Sequence, residues 1–206
     1  MQIEPELILC SDYMDPEQEK LLNRIAPTIA VEFHKEWRLV LLEIAALLGK
    51  SEEANTAIER YDHKCLLAGE QLREALGQET VALLRVHAQE LRLYGVSHPS
   101  YTGPVLYGDL DVGVPHLVSE LALNEAWVNL PMSLLSELDA DRLLLVIDPN
   151  SEEKAQELMN SQIWRDLKAV RNGHLYRAGY YTWMSNGIRM NTLKIEEVLR
   201  MFVHKP

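Results

Sequence analysis

Arg85 and His87 lie two residues apart at the end of the apolar run Val81–Val86. On a strand, residues i and i+2 point to the same side, so this guanidinium and imidazole share a face. Arg92 and Tyr94 repeat the spacing just downstream. In parallel α/β sheets the ligand crevice forms at the carboxyl ends of strands. Two arginines, a histidine and a tyrosine at one such edge have two readings. One is a solvated strand end tied by salt bridges. The other is an anion-binding pocket, because Arg supplies fixed charge and planar donors. The segment Tyr180–Gly187, YYTWMSNG, follows a further strand and is dense in aromatics, in a chain that is only 7% aromatic. Aromatic side chains in such a loop suit a flat organic ligand; the alternative is a loop folded back onto the core. Trp37 beside Arg38 reads as packing.

Other chemistry is poorly supported. No Gly-rich phosphate loop, nucleophile elbow, HExxH or paired CxxC occurs. His63 and Cys65 stand two apart in a helical pattern and face different ways, so they read as a solvated turn and one buried thiol rather than a zinc site. His98 and His116 read as loop histidines, and Asp109, Asp111, Asp139 and Asp141 as turn and cap residues. With Lys+Arg 20 against Asp+Glu 31, the 206-residue chain has a formal net charge of −11, which argues against direct nucleic-acid binding. An anionic ligand would need a local basic pocket set against that charge. Hydrophobic residues at 47% and charged ones at 25% exclude a disordered or fibrous chain. Two cysteines make no disulfide framework. The acidic start, MQIEPE, lacks a signal-like pattern, which reads as cytoplasmic, or as an extracytoplasmic, membrane-anchored protein if the chain is a fragment.

The elements that position these residues follow from periodicity. Leu7–Cys10 and Thr28–Val31 read as strands around a helix that starts at Asp15-Pro16. From Glu36 the pattern is helical, broken at Gly49, capped again at Ser51, and continued to Gly77 along Ala54, Ile58, Tyr61, Cys65, Ala68 and Leu72. Thr80–His87 and Leu91–Tyr94 read as adjacent strands or a hairpin. After a Gly/Pro-rich loop at 95–104 come a strand at Trp127–Asn129, a helix at Pro131–Leu138, a buried strand at Arg142–Ile147 and a helix capped at Asn150-Ser151. A turn at Asn172-Gly173 leads to a strand at His174–Arg177, and a last amphipathic helix opens at Asn191 or Thr192. Strands alternating with helices predict a parallel α/β sheet. The predicted organisation is a partial first lobe at 1–35, a helical spine at 36–77 and a second α/β lobe at 78–206.

Several segments, taken in order, resemble the ferric-siderophore-binding proteins of iron-uptake ABC transporters. EPELIL at Glu4–Leu9 is similar to that family's PDLII strand entry, and LLNRIAPT at Leu21–Thr28 to its L..IAPTV. Trp37 through Gly49-Lys50-Ser51-Glu52-Glu53-Ala54 resembles the start of the spine, W...L..IA..LGK.EEA. LRLYG at Leu91–Gly95 with VLYGDL at Val105–Leu110 resembles RIYG … VLY.DLG, and WRDLKAVRNGHLY at Trp164–Tyr176 resembles W..L.AVKNG.VY. The resemblance implies two Rossmann-like α/β lobes joined by a long helix, with the first lobe incomplete. It implies reversible binding of an anionic Fe(III) chelate in a cleft, with no catalysis and no metal held directly by the protein. Arg85, His87, Arg92, Tyr94 and Tyr107 fall on the second-lobe segments that line the cleft, Trp183 and Asn186 on its C-terminal loop, and Tyr13 on the first lobe.

The implied partners are the ferric siderophore and either an ABC permease or a fused or adjacent regulator domain. A related group joins this module to an AraC-type regulator, where the chelate acts as an effector. The family's first lobe begins with a βαβ portion absent here, so the strands at 7–10 and 28–31 should expose an edge and an apolar face, which a second copy would cover. A cobalamin or haem carrier of the same fold is the alternative that would use His87 as an axial ligand.

Overall fold

The structure is a computed structural model that describes residues 4–32, 35–97 and 100–204; His98 lies outside the described residues. It divides into two compact units, residues 1–54 and 55–206.

In the first unit, β1 (Ile8–Ser11) pairs in parallel with β2 (Thr28–Val31), with Ile8 opposite Thr28 and Ser11 opposite Val31. The crossover is α1 (Pro16–Leu22), begun by Asp15, whose carboxylate accepts the Glu17 N–H at 2.8 Å. Pro16 stands in the first turn, where its missing N–H leaves no bond unmade. α2 (Trp37–Leu47) is capped by Glu36, which accepts from the N–H groups of Arg38 at 2.9 Å and Leu39 at 3.3 Å. Cys10, Ala26, Val31, Trp37, Val40 and Ala45 are buried. Leu21, Ile25, Leu39, Leu47 and Leu48 are each more than half exposed.

α3 (Ser51–Leu76) runs across the boundary between the units. Ser51 is its first residue rather than its cap. Gly77, at φ 59°, closes it in the left-handed region that suits glycine. Tyr61, Cys65, Ala68 and Leu72 are buried along one side, as their spacing predicts. Cys10 and Cys65 are both buried thiols rather than a disulfide.

The second unit is built on β3 (Val81–His87), β4 (Glu90–Tyr94), β5 (Trp127–Asn129), β6 (Arg142–Ile147) and β7 (Leu175–Arg177), ordered β5-β4-β3-β6-β7. β3, β6 and β7 are parallel, but β4 pairs antiparallel with both β3 and β5, so the sheet is mixed rather than wholly parallel. The two-residue turn Ala88-Gln89 allows only an antiparallel return. β6, RLLLVI, is buried at every position, as a central strand covered on both faces must be.

Helices follow in the order α4 (His116–Leu121), α5 (Met132–Leu135), α6 (Glu152–Asn160), α7 (Gln162–Asp166), α8 (Lys168–Arg171), α9 (Tyr180–Trp183) and α10 (Ile188–Phe202), with a π-helical turn at Pro104–Asp109 ahead of α4. The Gly/Pro-rich loop before that turn has a steric cause. A Cβ on Gly103 would lie 1.8 Å from the Gly95 carbonyl oxygen. Two expected caps differ. Ser151 does not cap α6 with its side chain; its Oγ accepts the Ala88 N–H at 3.1 Å and ties that helix start to the β3–β4 turn. α10 opens after Gly187, at φ 99°, a turn earlier than Asn191, which is fully buried inside it.

Candidate functional site

Pairing register puts Arg85 directly opposite Arg92, His87 opposite Glu90, and Val146 of β6 beside Arg85. Directly opposed residues share a face, and so do residues two apart on one strand. One face of the sheet at the carboxyl ends of β3 and β6 therefore carries Arg85, His87, Glu90, Arg92 and Tyr94, joined by Asp148, two residues beyond Val146. Two arginines set opposite each other repel, and each is given a carboxylate.

Asp148 grips Arg85 bidentately, with Nε 2.6 Å from Oδ1 and Nη2 2.8 Å from Oδ2. Both side chains are largely buried, at 13% and 9% exposure. Burial by itself would raise the Asp148 carboxyl, but the hydrogen bonds from Arg85 and His87 prevail and hold it below the usual carboxylate range. His87 Nδ1 lies 2.5 Å from Asp148 Oδ2, so its N–H donates there and Nε2 is left for a partner outside the cluster. Arg85 Nη1 donates to the Tyr94 hydroxyl at 3.1 Å, which in turn donates to Met184 Sδ at 3.3 Å. The Tyr180 ring stands 5.6 Å from the Arg85 guanidinium carbon. Arg92 donates from Nε (3.0 Å) and Nη2 (2.8 Å) to Glu90 Oε2 and lies over the Trp127 ring at 4.0 Å. The hydrogen bond from Arg92 lowers the Glu90 carboxyl.

The structure thus brings Arg85, His87, Arg92 and Tyr94 together. Tyr94 is buried and serves to orient Arg85. Two further expected ligand contacts, Trp183 and Tyr107, are buried in this structure. Trp183 has no exposed surface; its indole N–H donates to Glu197 at 2.8 Å and its ring packs in the core. Tyr107 is also buried, its hydroxyl donating to the Val81 carbonyl at 2.9 Å, and burial raises its pKa. Asn186 is exposed, and its Oδ1 accepts from the Gly187 N–H at 2.9 Å and from Asn191 Nδ2 at 3.3 Å. Tyr13 belongs to the first unit and is 77% exposed. Of the three rings in the aromatic segment, those of Tyr180 and Tyr181 keep accessible surface, and so does Met184.

Asp148, Glu90 and Trp127 did not stand out in the sequence. Asp148 was open to notice, since it follows the clearest buried strand at its carboxyl end. Lys194 was not. It is fully buried on α10, its ammonium donating to the carbonyls of Tyr101 and Ser185 (2.7 Å to the latter) and to Asn191 Oδ1 at 2.9 Å. Burial pushes it down to about 7. It fastens the end of the aromatic segment from behind.

A cavity of about 610 Å³ adjoins the Glu90 end of this cluster, lined by Val86, Glu90, Leu91, Leu130, Met132 and Leu158, among others. Val86 and Leu91 alternate with Arg85 and Arg92, so it lies mainly on the other face of the hairpin. Its surface is mostly apolar, and Glu90, Asn129, Lys154 and Glu157 stand at its polar side, so it reaches the Arg92 end of the cluster through Glu90. Among the described residues no group of three or more His, Cys, Asp and Glu could hold a metal ion.

Known proteins share this architecture. The chain is 28% identical over 182 residues to the HTH-type transcriptional activator Btr of Bacillus subtilis, covering 88% of this chain and 33% of that protein. It is 24% identical over 187 residues to the iron(3+)-hydroxamate-binding protein FhuD of the same organism, covering 88% and 58%. It spans less than two thirds of the length of either. A solved FhuD fold-family structure from Bacillus subtilis, a periplasmic binding protein component of a Fep/Fec-like ferrichrome ABC transporter, superposes with a TM-score of 0.86 at 21% identity, covering 98% of this chain and 76% of that one. That likeness bears on the fold. The model of the periplasmic binding protein family matches residues 1–181, all of the first unit and most of the second, and the chain belongs to that family.

Proposed function

We propose that this chain reversibly binds a ferric chelate, the iron arriving inside the ligand, at the face carrying Arg85 and His87. The observation that carries this reading is the Arg85–Asp148–His87–Tyr94 cluster at the carboxyl ends of β3 and β6, in a chain of a binding-protein family. Every donor there is oriented by a neighbour, and Tyr180 and Tyr181 supply aromatic surface beside it. That is the composition of a binding site: fixed polar groups beside apolar contact area. No nucleophile paired with a base accompanies it, so the chemistry is recognition. The test is a titration of intrinsic tryptophan fluorescence with iron-loaded chelates. Saturable quenching that weakens in Arg85→Ala supports the reading, and no saturable response to any chelate ends it.

The output has two forms, both resting on relatives that are longer than this chain. Iron uptake would pair the module with an ABC permease. The likeness to the activator Btr favours the second form, an effector domain joined to or beside a regulator domain. The full-length polypeptide separates them. Chelate-dependent operator affinity marks the regulator, and chelate-dependent stimulation of a permease's ATP hydrolysis marks the transporter.

A haem or cobalamin carrier is favoured by one detail, His87 oriented through Nδ1 by a carboxylate, as axial ligands commonly are. A Soret shift on haem addition, lost in His87→Ala, would move the reading there. For the first unit, the exposed Leu21, Ile25, Leu39, Leu47 and Leu48 support a second copy as their cover. A strictly monomeric sedimentation profile at micromolar concentration would remove that idea.

A further inference from the structure

Resting on the binding reading above, we infer that the site selects a ferric chelate of no net charge, of the trihydroxamate type, over a multiply anionic tris-catecholate. Three hydroxamates neutralise Fe(III), whereas three catecholates leave three negative charges on the complex. The sequence pattern, with two arginines and a histidine on one edge, favours the anion. The structure reverses that preference, because neither arginine offers uncompensated charge.

Arg85 has its Nε and Nη2 on Asp148 and its Nη1 on Tyr94. Arg92 has its Nε and Nη2 on Glu90, and its face on Trp127. The face of the sheet thus holds two guanidinium groups and two carboxylates. Asp148 is 9% exposed and also holds His87, so it cannot swing aside for an incoming anion without leaving both partners unsatisfied. A trianion entering here would lose its hydration and meet Asp148 and Glu90 at close range, a like-charge juxtaposition that interfaces avoid. A neutral complex meets oriented donors, the His87 ring and the phenol rings of Tyr180 and Tyr181, and brings no charge to desolvate.

Two other cations of the second unit are already committed to partners. Lys194, behind the aromatic segment, is sealed from solvent and spent on carbonyl oxygens. Arg177, two residues beyond Leu175 of β7, is paired with Glu152 at 2.7 Å.

The experiment is a pair of fluorescence titrations at 0.15 M salt, with ferrichrome as the neutral probe and ferric enterobactin as the trianionic one. Wild type is expected to bind the neutral complex about tenfold or more tightly. Removing a carboxylate should unmask its arginine. Glu90→Gln and Asp148→Asn are each expected to move the ratio of the two dissociation constants toward the anion by about three- to tenfold, an effect that shrinks at high salt. Glu90 is 42% exposed at a strand end, so its variant keeps the test alive if Asp148→Asn fails to fold. Equal or tighter binding of ferric enterobactin by wild type overturns the inference while leaving the binding function standing. A ratio that neither variant moves also overturns it. Binding of neither probe overturns this inference, and the binding function falls with it only if no other iron-loaded chelate gives a saturable response.

Discussion

Cys10 and Cys65 are equally buried, at 5% exposure, yet their surroundings differ in kind. Cys10 lies in a two-stranded parallel sheet of four-residue strands, in a unit of 54 residues. Parallel pairs are found in well-covered sheets and are slightly weaker per residue than antiparallel ones. The first unit buries few large side chains and leaves five Leu and Ile more than half exposed. Cys65 lies on a long helix in a unit whose central strands β3 and β6 are almost wholly buried. The second unit has a core thick enough to hold side-chain geometry at a site. The first has strands in the right register but little to hold them. Equal burial of one residue therefore says little about the stability of the region around it.

The largest expected effect comes from the core of the stronger unit. Leu144, fully buried in β6, should cost about 2–5 kcal/mol on truncation to Ala, read as a lowered urea midpoint, whereas Leu39→Ala in the first unit should change it by less than about 0.5 kcal/mol. Similar losses at both positions would mean that the first unit has a core of its own.

Lys194 gives the next effect, in the pH profile. Its folded pKa of about 7 lies below the unfolded value, so between pH 7 and about 10.4 the unfolded chain binds more protons. The burial penalty is fully present below pH 7 and is relieved as pH rises through that window. The wild-type stability minus that of Lys194→Met should therefore rise with pH by a few kcal/mol, about 1.4 kcal/mol for each tenfold fall in proton concentration across the window. A flat difference from pH 6 to 10.5 would show an ammonium held at its ordinary pKa by its carbonyl partners.

Thiol labelling compares the units directly. Under native conditions Cys10 should react with a disulfide reagent about tenfold or more faster than Cys65, through local opening of the first unit. Equal rates, both matching global unfolding, would merge the two units into one cooperative body.

The smallest effect is at the β3–β4 turn. Ala88 sits at φ 49°, and glycine there should stabilise by about 0.5–1 kcal/mol, seen as a higher midpoint. A loss would mean that the Ala88 methyl group packs more favourably than its backbone is strained.

What the sequence revealed depended on the range of the forces involved. β1, α1, β2, the hairpin and β6 were legible, because alternation, Asp-Pro and turn residues act within a few positions. The shared face of Arg85 and His87 followed from strand geometry alone. The position of Asp148 after a buried strand was open to notice, but its pairing with Arg85 and His87 was not, since it is brought in by a strand pairing 61 residues away. The burial of Trp183 was not legible for a related reason. A dense aromatic segment shows that rings are present but not which ring turns inward, and that was decided by Glu197 on α10. Lys194 reads as one more polar residue on an amphipathic helix. The carbonyls of Tyr101 and Ser185 and the Asn191 side chain make its burial tolerable.

The pairing of β3 with β6 also bears on the order of synthesis. Val81 finds its partner Arg142 only 61 residues later. At roughly 5–20 residues per second, a ribosome needs about 3–12 s to supply it. During that interval the hairpin stands alone, with one side of the largely apolar stretch Val81–Val86 unpaired. β1 and β2, 20 residues apart, are paired well before then. In a growing chain the marginal unit thus comes together first and the robust one last, and the nascent polypeptide passes through a stage in which a chaperone has more to bind than at any later time.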